Sequence, residues 1–492
     1  MKGLFLALKL FNSLTRKKEK FKPQQPGLVR IYTCGMTVYD VPHLGHARTY
    51  STWDILKRYL RFRFPDHRVL HVQNYTDVGH LTDDADQGED KVVERAKARK
   101  VEPMELVDRY IRAFEDDMRD LRVEPPNIAP RATGHIYEMI DLVQRLLDKG
   151  VAYETDRGIY FDVSQFPSYG TMAGFDLEGQ QAGARVEVDD LKRNPHDFAL
   201  FIKAPPEHIM KWPTPWGYLG YPGWHIECSA MSMKYLGQTL DIHAGGIDHL
   251  SIHHPNERAQ SEASTGQPFA RVWMHANFLT YNGEKMSKST GNYISAREAI
   301  DRVGADLLRY FLVTGSHYRS GDDFSYEKLE QKRDEYERLQ TMMATVRYLL
   351  RQKPVDPSEE PSPESAKFRE QFVVAMDDDL NTAKAMAVLF QFVNWLNGRV
   401  GKSANDDVLR SLLTTDYNLF LEMADVLAIR PLPHTGEDEV LDVLLRVRAE
   451  VRTAKDFVTA DKIRDEILAL GYKVEDKPWG SQVIRLPSPP QL

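Results

Sequence analysis

Two short motifs carry side chains that could bind the phosphates of ATP: H-L-G-H at His43 to His46 and K-M-S-K-S at Lys285 to Ser289. Imidazoles at a helix start and ammonium groups on a loop can both stabilise negative charge on phosphate oxygens. Such charge builds up when a carboxylate attacks the α-phosphate and pyrophosphate leaves. The two motifs, in this order in one chain, therefore predict an enzyme that activates a carboxylate with ATP.

The elements around the first motif predict a nucleotide-binding sheet. Residues 28–33 are typical of a buried strand, residues 47–62 of a helix with one apolar face, and residues 68–73 of a second strand. Strand, helix and strand in this order open a doubly wound sheet. H-L-G-H then lies where that architecture binds phosphate, and Gly45 allows close backbone approach there.

The second half of the chain is predicted to be mainly helical. Apolar residues from 329 to 350 recur at helical spacing, which favours a bundle or coiled-coil helix. Residues 353–365 are rich in Pro, Ser and Glu, so we expect a linker, and residues 368–396 return to a helical pattern.

Composition excludes several classes of protein. The chain has 492 residues, 42% hydrophobic and 28% charged, as in an ordinary soluble globular protein of about three domains. The apolar stretch at 4–8 is too short for a signal peptide, and no run is long enough to span a membrane. The segment through Lys22 carries seven Lys or Arg and one Glu, which indicates an interaction or packing arm. The net charge of −8 argues against a general nucleic-acid binder but allows local RNA contacts.

The chain has only two cysteines, Cys34 and Cys228, which excludes a disulfide-rich secreted fold, so we expect a cytoplasmic protein. Buried small hydrophobes are the common fate of lone cysteines, and the wide spacing is weak evidence for a metal site by itself. His253 and Glu257 are spaced i, i+4, so both can project from one helix face, with Pro255 in the first turn.

Several blocks resemble cysteinyl-tRNA synthetases. Y-T-C-G-M-T-V-Y-D at 32–40, followed by H-L-G-H, is similar to the start of their catalytic domain, and so is P-G-W-H-I-E-C-S-A-M at 222–231. The block at 243–260 is similar with changes. H-Y-R-S at 317–320, M-D-D-D-L-N-T-A at 376–383 and A-D-K-I-R-D-E-I at 460–467 extend the resemblance over nearly the whole chain.

The resemblance implies an α/β class I synthetase that forms cysteinyl-adenylate and charges tRNA(Cys). Its expected parts are a Rossmann-type core with a connective insertion, a helical bundle and a small C-terminal mixed α/β domain. The expected ranges are 22–132 and 218–265 for the two halves of the catalytic domain, 133–217 for the insertion, 266–328 for the stem-contact region with the KMSKS loop, 329–429 for the bundle and 430–492 for the anticodon-binding domain.

The resemblance also implies cofactors and partners. One Zn²⁺ per subunit is expected on Cys34, Cys228, His253 and Glu257, and Mg²⁺ is expected with ATP. The metal would bind the thiolate of the substrate better than the hydroxyl of serine, so no editing domain is needed. We expect tRNA(Cys), ATP and L-cysteine as partners, no membrane, and a monomer.

Further site residues are implied by their positions in the family blocks. Thr76, Trp224 and Asp248 are expected to line the cysteine pocket, with Asp248 facing the substrate ammonium. His43, His46, Lys285 and Lys288 are the expected catalytic residues. The expected ATP-binding residues are His43, Gly45, His46, Lys285, Met286, Ser287, Lys288 and Ser289, of which the two serines are expected to shape the loop.

The chain departs from the family pattern at two places. Ser251 and Ile252 replace a phenylalanine and a proline before the paired histidines, and Pro255 alters the block that follows them. The stretch at 78–91 is longer and more acidic than is common. We interpret it as a solvated loop rather than a metal site, and His80 has no assigned role.

Two alternative functions remain open. A related ligase joins cysteine to the amine of a glucosaminyl-inositol in thiol biosynthesis, but it should lack the tail that continues here through 460–467 and Trp479-Gly480. A non-catalytic, RNA-binding paralogue usually loses the activation residues, whereas both ATP motifs are present here.

Overall fold

A computed structural model gives the structure of the protein and describes residues 7–79, 90–172, 174, 191–206, 208–286, 291–430, 437–477 and 480–485. Its architecture is mixed α/β, with a parallel sheet in the catalytic half and helices after it, as the sequence predicts. Within these ranges, no helix is both long and apolar enough to cross a membrane.

The strands of the described residues are β1 (Lys9–Asn12), β2 (Lys17–Lys20), β3 (Leu28–Thr33), β4 (Arg68–Gln73), β5 (Ala152–Thr155), β6 (Gly158–Phe161), β7 (Phe198–Lys203), β8 (Trp212–Pro213), β9 (Leu219–Pro222), β10 (Leu240–Gly246), β11 (Ala270–Ala276), β12 (Leu279–Tyr281), β13 (Glu284–Lys285), β14 (Asp322–Phe324), β15 (Tyr472–Lys477) and β16 (Gly480–Arg485). The α-helices are α1 (Leu44–Arg63), α2 (Lys91–Arg99), α3 (Pro103–Asp120), α4 (Ile136–Asp148), α5 (Trp224–Leu236), α6 (His253–Thr265), α7 (Ala296–Val303), α8 (Ala305–Thr314), α9 (Tyr326–Gln352), α10 (Pro363–Asp377), α11 (Thr382–Ser403), α12 (Asp407–Leu427), α13 (Glu437–Thr453) and α14 (Phe457–Ala469).

The central sheet has the strand order β11-β10-β3-β4, and all of its pairs are parallel. Ile31 of β3 lies opposite His71 of β4 on one side and Ile242 of β10 on the other. The chain leaves β3 through α1 to reach β4, whereas β10 comes from a much later segment. The strand order therefore reverses beside β3, and ligands bind beyond the carboxyl ends of the strands at such a point.

Helix α1 covers this sheet with buried apolar side chains that include Leu44, Ala47 and Leu56. It begins just before the predicted range of 47–62 because His43 caps it, with Nδ1 accepting a hydrogen bond from the Gly45 N–H at 3.0 Å. H-L-G-H thus occupies the helix N-terminus, where unpaired N–H groups and the helix dipole favour anions.

An antiparallel sheet with the order β5-β6-β7-β9-β8 forms the insertion between the two halves of the core. Stacked aromatic rings such as Phe161 and Phe198, whose centroids are 5.1 Å apart, fill its apolar side. The sheet runs past residue 217 to Pro222. The domain ranges inferred from the sequence remain predictions.

Helices α9 to α12 pack together as a bundle. The prediction of one helix over residues 368–396 is wrong in its middle, because α10 ends at Asp377 and α11 begins at Thr382. Asp379 and Leu380 between them have φ angles of 65° and 54°. The buried Asp379 carboxylate accepts hydrogen bonds from the Phe11 N–H at 2.8 Å and the Tyr318 hydroxyl at 2.7 Å, and these tertiary contacts interrupt the helix.

Both ends of the chain form small units that pack on the rest. At the N-terminus, β1 and β2 pair antiparallel, and this hairpin contacts β11. At the C-terminus, α13, α14 and the β15–β16 hairpin enclose a small apolar cluster against Tyr348 of α9. Arg448 of α13 donates to the Asp476 carboxylate at 2.7 Å and closes that unit.

Candidate active site and metal centre

The candidate site lies at the carboxyl ends of β3, β4 and β10. Cys34 follows β3, and its N–H donates to the Ala244 carbonyl of β10 at 3.1 Å. The Gly35 N–H donates to Asn74 Oδ1 at 2.8 Å. A Cβ on Gly35 would overlap the Asn74 backbone carbonyl, so only glycine allows the two loops to approach this closely.

Four buried side chains converge there, from the β3 loop, α5 and α6. One donor atom from each lies within 4.8 Å of all the others: Cys34, Cys228, His253 and Glu257. Glu257 Oε1 lies 3.1 Å from His253 Nε2 and 3.5 Å from Cys34 Sγ. These are the four residues that the sequence predicts as ligands, and their convergence makes a cluster that could hold a metal ion.

The electrostatics of the cluster also suit a cation. A hydrogen bond from Cys34 lowers the pKa of Cys228 to about 6. Burial alone would raise the pKa of Glu257, but the electrostatic interactions and hydrogen bonds of the neighbouring His243 and His253 imidazoles lower it. Burial would lower the pKa of His253, but the Glu257 carboxylate raises it to about 10. Protons bound in the cluster thus offset the repulsion between its anionic donors, and a metal ion would displace these protons when it binds.

The donor set fits zinc best among common metals. Two thiolate sulfurs, one imidazole and one carboxylate make four ligands of the kinds that zinc accepts in tetrahedral sites. Calcium and magnesium take oxygen ligands, which this cluster mostly lacks.

Of the residues predicted for the cysteine pocket, Trp224 packs against the cluster. The Trp224 ring is 4.6 Å from the His253 ring, between centroids. Thr76 is 3% exposed and accepts a hydrogen bond from Asn74 Nδ2 at 3.1 Å. Asp248 follows β10 in a short 3₁₀ turn, and its side chain is 60% exposed, so its carboxylate can meet a ligand from solvent.

The structure adds polar residues that the sequence reasoning did not assign. His225 Nδ1 lies 2.7 Å from His253 Nδ1, and His243 Nε2 lies 2.8 Å from Glu257 Oε2. His254 Nε2 lies 3.2 Å from Cys34 Sγ. Both His225 and His243 lie inside family-like blocks, and His254 sits directly beside a predicted ligand. Sequence position therefore signalled involvement but not which atom each ring contacts.

The two histidines of H-L-G-H form one unit at the start of α1. The His43 N–H donates to His46 Nδ1 at 3.2 Å, and the two rings stack with centroids 3.9 Å apart. Both side chains are partly exposed, and the motif follows β3, as Cys34 does. This arrangement offers imidazole and backbone N–H groups together to an anion.

The K-M-S-K-S segment begins at the β12–β13 hairpin. Lys285 is exposed, with Nζ 4.7 Å from the centre of the Phe278 ring. Ser287, Lys288 and Ser289 lie outside the described residues, as does His80 with most of the acidic stretch at 78–91. Beyond the motif, Ser295 pairs with His43 in an antiparallel bridge, so the segment that follows K-M-S-K-S meets the start of H-L-G-H.

Family models match three consecutive regions of the chain. Residues 20–334 match the class I (C) tRNA synthetase catalytic domain, and residues 371–429 match the DALR domain. Residues 434–485 match the anticodon-binding domain of cysteinyl-tRNA ligase. The chain belongs to the cysteinyl-tRNA synthetase family. Its fold is therefore that of a class I aminoacyl-tRNA synthetase, as the sequence predicts.

Curated members of the cysteinyl-tRNA synthetase family match over almost the full length. The cysteine–tRNA ligase of Chlorobaculum tepidum is 45% identical over 488 residues, which cover 96% of this chain and 98% of that protein. A cysteine–tRNA ligase of Thermus thermophilus is also 45% identical, covering 96% and 98%. That of Thermococcus onnurineus is 41% identical, covering 97% and 98%.

A solved structure supports the fold of the family independently. Methionyl-tRNA synthetase of Mycobacterium tuberculosis, in complex with methionyl-adenylate, superposes with a TM-score of 0.60. The match covers 85% of this chain and 94% of that one at 16% sequence identity, so it bears on the fold alone.

Proposed function

We propose that this protein activates L-cysteine with ATP to give cysteinyl-adenylate and transfers the cysteinyl group to the 3′-terminal ribose of tRNA(Cys). The observation that carries the proposal is the buried cluster of Cys34, Cys228, His253 and Glu257 beside the H-L-G-H helix start. Full-length similarity to cysteine–tRNA ligases supports the same reaction.

We infer that the cluster holds one zinc ion per subunit. Bound there, zinc would supply a soft Lewis acid that prefers the thiolate of cysteine to the hydroxyl of serine. A purely apolar pocket distinguishes near-isosteres by only about 10². Cys228, with a pKa lowered to about 6 by the hydrogen bond from Cys34, is ready to act as a thiolate ligand near neutral pH.

The substrate would be held between the cluster and solvent. Trp224 would form one wall of the pocket, since its ring already packs on His253. The exposed Asp248 carboxylate would pair with the substrate ammonium, and Thr76 would close the inner end. The carboxylate of cysteine would then face the start of α1.

Activation then depends on positioning and charge. A carboxylate oxygen of cysteine attacks the α-phosphorus, so a new O–P bond forms as the bond from that phosphorus to the pyrophosphate oxygen breaks. His43 and His46 would bind the phosphates at the helix start, and Lys285 with Lys288 would stabilise the leaving pyrophosphate. Mg²⁺ would accompany ATP. In the second step a ribose hydroxyl of tRNA attacks the carbonyl carbon and releases AMP.

The helices after residue 329 and the C-terminal unit would bind tRNA. The match of residues 434–485 to an anticodon-binding domain supports this assignment. It also weighs against the glucosaminyl-inositol ligase, which has no anticodon to bind. No disulfide joins Cys34 and Cys228, and we propose a cytoplasmic location. The monomeric state stays a prediction.

The test is exchange of pyrophosphate into ATP with cysteine, serine or alanine as the amino acid, followed by charging of total tRNA. We expect exchange and charging with cysteine only. Cysteine-dependent exchange without any charging would favour the small-amine ligase. Loss of both would favour a non-catalytic RNA-binding paralogue.

A further inference from the structure

Two sets of four donors overlap at the metal cluster. They share Cys34 and Glu257, and in each set the donor atoms lie within 4.8 Å of one another. The first set is completed by Cys228 and His253, and the second by His243 and His254. All these side chains are buried, so the tautomers of His243 and His254 decide whether they are ligands or hydrogen-bond donors.

His243 is arranged as a donor. Its Nε2 lies 2.8 Å from Glu257 Oε2, a hydrogen-bond distance to a carboxylate. Its Nδ1 is buried and has no partner among the described residues. A proton on Nδ1 would be an unsatisfied buried donor, so the favoured tautomer carries the proton on Nε2 and gives it to Glu257. That nitrogen is then unable to bind a metal.

His254 belongs to a chain of three hydrogen bonds that runs from Cys34 to Ser13. Its Nε2 lies 3.2 Å from Cys34 Sγ, and its Nδ1 lies 2.8 Å from His275 Nε2. His275 Nδ1 in turn lies 2.8 Å from Ser13 Oγ. A ligating thiolate only accepts hydrogen bonds, so His254 must present an Nε2–H. His275 must then donate through Nε2, and the Ser13 hydroxyl must donate to His275.

Ser13 is fixed in place by the N-terminal hairpin. Its N–H donates to the Trp273 carbonyl of β11 at 2.9 Å. The neighbouring Asn12 donates to the Arg271 carbonyl at 3.0 Å and accepts from the Trp273 N–H at 3.2 Å. The turn of the hairpin is therefore attached to the strand that carries His275, which keeps the hydroxyl in range of the ring.

We propose that His243 and His254 are positioning residues, which donate hydrogen bonds to the metal ligands Glu257 and Cys34, and that Ser13 fixes the orientation of His254 through His275. The proposal rests on the metal centre of the proposed function and gives the N-terminal hairpin a role in it. Outer hydrogen bonds of this kind orient ligands and typically change metal affinity by about 10- to 100-fold when removed.

The first test measures zinc release to a chromophoric chelator from full-length, zinc-loaded protein. Ser13→Ala removes the terminal hydroxyl, whereas Ser13→Thr retains one. Thr15→Ala is the matched control, because Thr15 lies in the same turn, is exposed, and donates its hydroxyl to Glu19 Oε1 at 2.7 Å rather than to the His275 ring. We expect release about tenfold faster for Ser13→Ala than for wild type, with the other two variants close to wild type.

The second test replaces zinc with Co²⁺ and measures thiolate-to-cobalt charge-transfer absorption, which grows with the number of Co–S bonds. The first donor set has two thiolates and the second has one. Cys228→Ser should therefore lower the absorption to about half, while His243→Leu and Ser13→Ala leave it unchanged.

The outcomes separate the claims. Equal zinc release from Ser13→Ala and Thr15→Ala would overturn the role of Ser13 and leave the proposed function intact. Unchanged absorption in Cys228→Ser would make His243 and His254 ligands and overturn their positioning role. Failure of the wild-type protein to bind either zinc or Co²⁺ would overturn the metal centre itself.

Discussion

The terminal methyl of Met286 lies 3.5 Å from the position that a Cβ on Gly45 would occupy. The start of the second ATP motif thus lies close to the first. Backbone hydrogen bonds strengthen the junction, since the Leu44 N–H donates to the Ile294 carbonyl at 3.3 Å and the Ala296 N–H donates to the Pro42 carbonyl at 2.9 Å.

This proximity leads to a prediction for Gly45→Ala. The new Cβ would lie 2.7 Å from His43 Cε1 and 2.9 Å from Nδ1, so the imidazole must move. We expect kcat/KM for cysteine-dependent pyrophosphate exchange to fall by about 10- to 100-fold, because the displaced His43 imidazole would no longer be aligned to bind the phosphates of ATP. Gly398→Ala, where the added carbon meets open space within α11, should keep full activity.

Lys285→Ala tests the positive charge of the second ATP motif. Lys285 is exposed, so its removal should leave the thermal unfolding midpoint unchanged. We expect kcat for pyrophosphate exchange to fall by about 10²-fold, since a donor to developing negative charge is lost. The exposed Lys402→Ala on α11 is the control. Equal activity of the two variants would remove Lys285 from the catalytic residues.

Asp248→Asn tests recognition of the substrate ammonium. The substitution retains shape and removes the charge, so we expect KM for cysteine to rise about tenfold with a smaller change in kcat. The exposed Asp66→Asn is the control for a general effect of charge. A fall in kcat at unchanged KM would contradict the assigned role of Asp248.

These predictions rest on a site of which the sequence reveals only part. The four metal-cluster residues are recognisable because they lie in family-like blocks, and His253 and Glu257 also share a helix face. The hydrogen-bonding of His254 depends on Ser13 and His275, which come from a hairpin and a strand far apart in sequence. No local pattern encodes such contacts.

The fold, like the site, is predicted correctly from the sequence where it depends on local patterns, and not where it depends on tertiary contacts. The βαβ unit around α1 is predicted because strand and helix periodicities are local properties. The break at Asp379 is not, since it depends on contacts with Phe11 and Tyr318 from other parts of the chain. Tertiary hydrogen bonds there override the helical pattern of 368–396.

Asp90 gives a prediction about stability and pH. Burial raises the pKa of this carboxyl from 3.8 to about 6, although it caps α2. Between those values the folded state binds a proton that the unfolded state lacks, so lowering the pH through this window stabilises the fold, and raising it removes that stabilisation.

Asp90→Asn should abolish this dependence because the amide does not titrate. From pH 7 to pH 5, wild type should gain about 1 kcal/mol in unfolding free energy relative to the variant. Urea unfolding followed by tryptophan fluorescence measures the difference. Asp66→Asn, at an exposed position, should have the same pH dependence of the unfolding free energy as wild type. If Asp90→Asn also had the wild-type pH dependence, Asp90 would not be its cause.

The most direct test of the central claim is charging of total tRNA by the zinc-loaded protein with labelled cysteine or labelled serine, each also measured with the other in excess. We predict that cysteine but not serine becomes attached to tRNA. The amount of cysteine attached should not fall when serine is in excess. Serine on the tRNA would contradict selection by the metal cluster, and no charged tRNA despite cysteine-dependent pyrophosphate exchange would contradict the proposed acceptor.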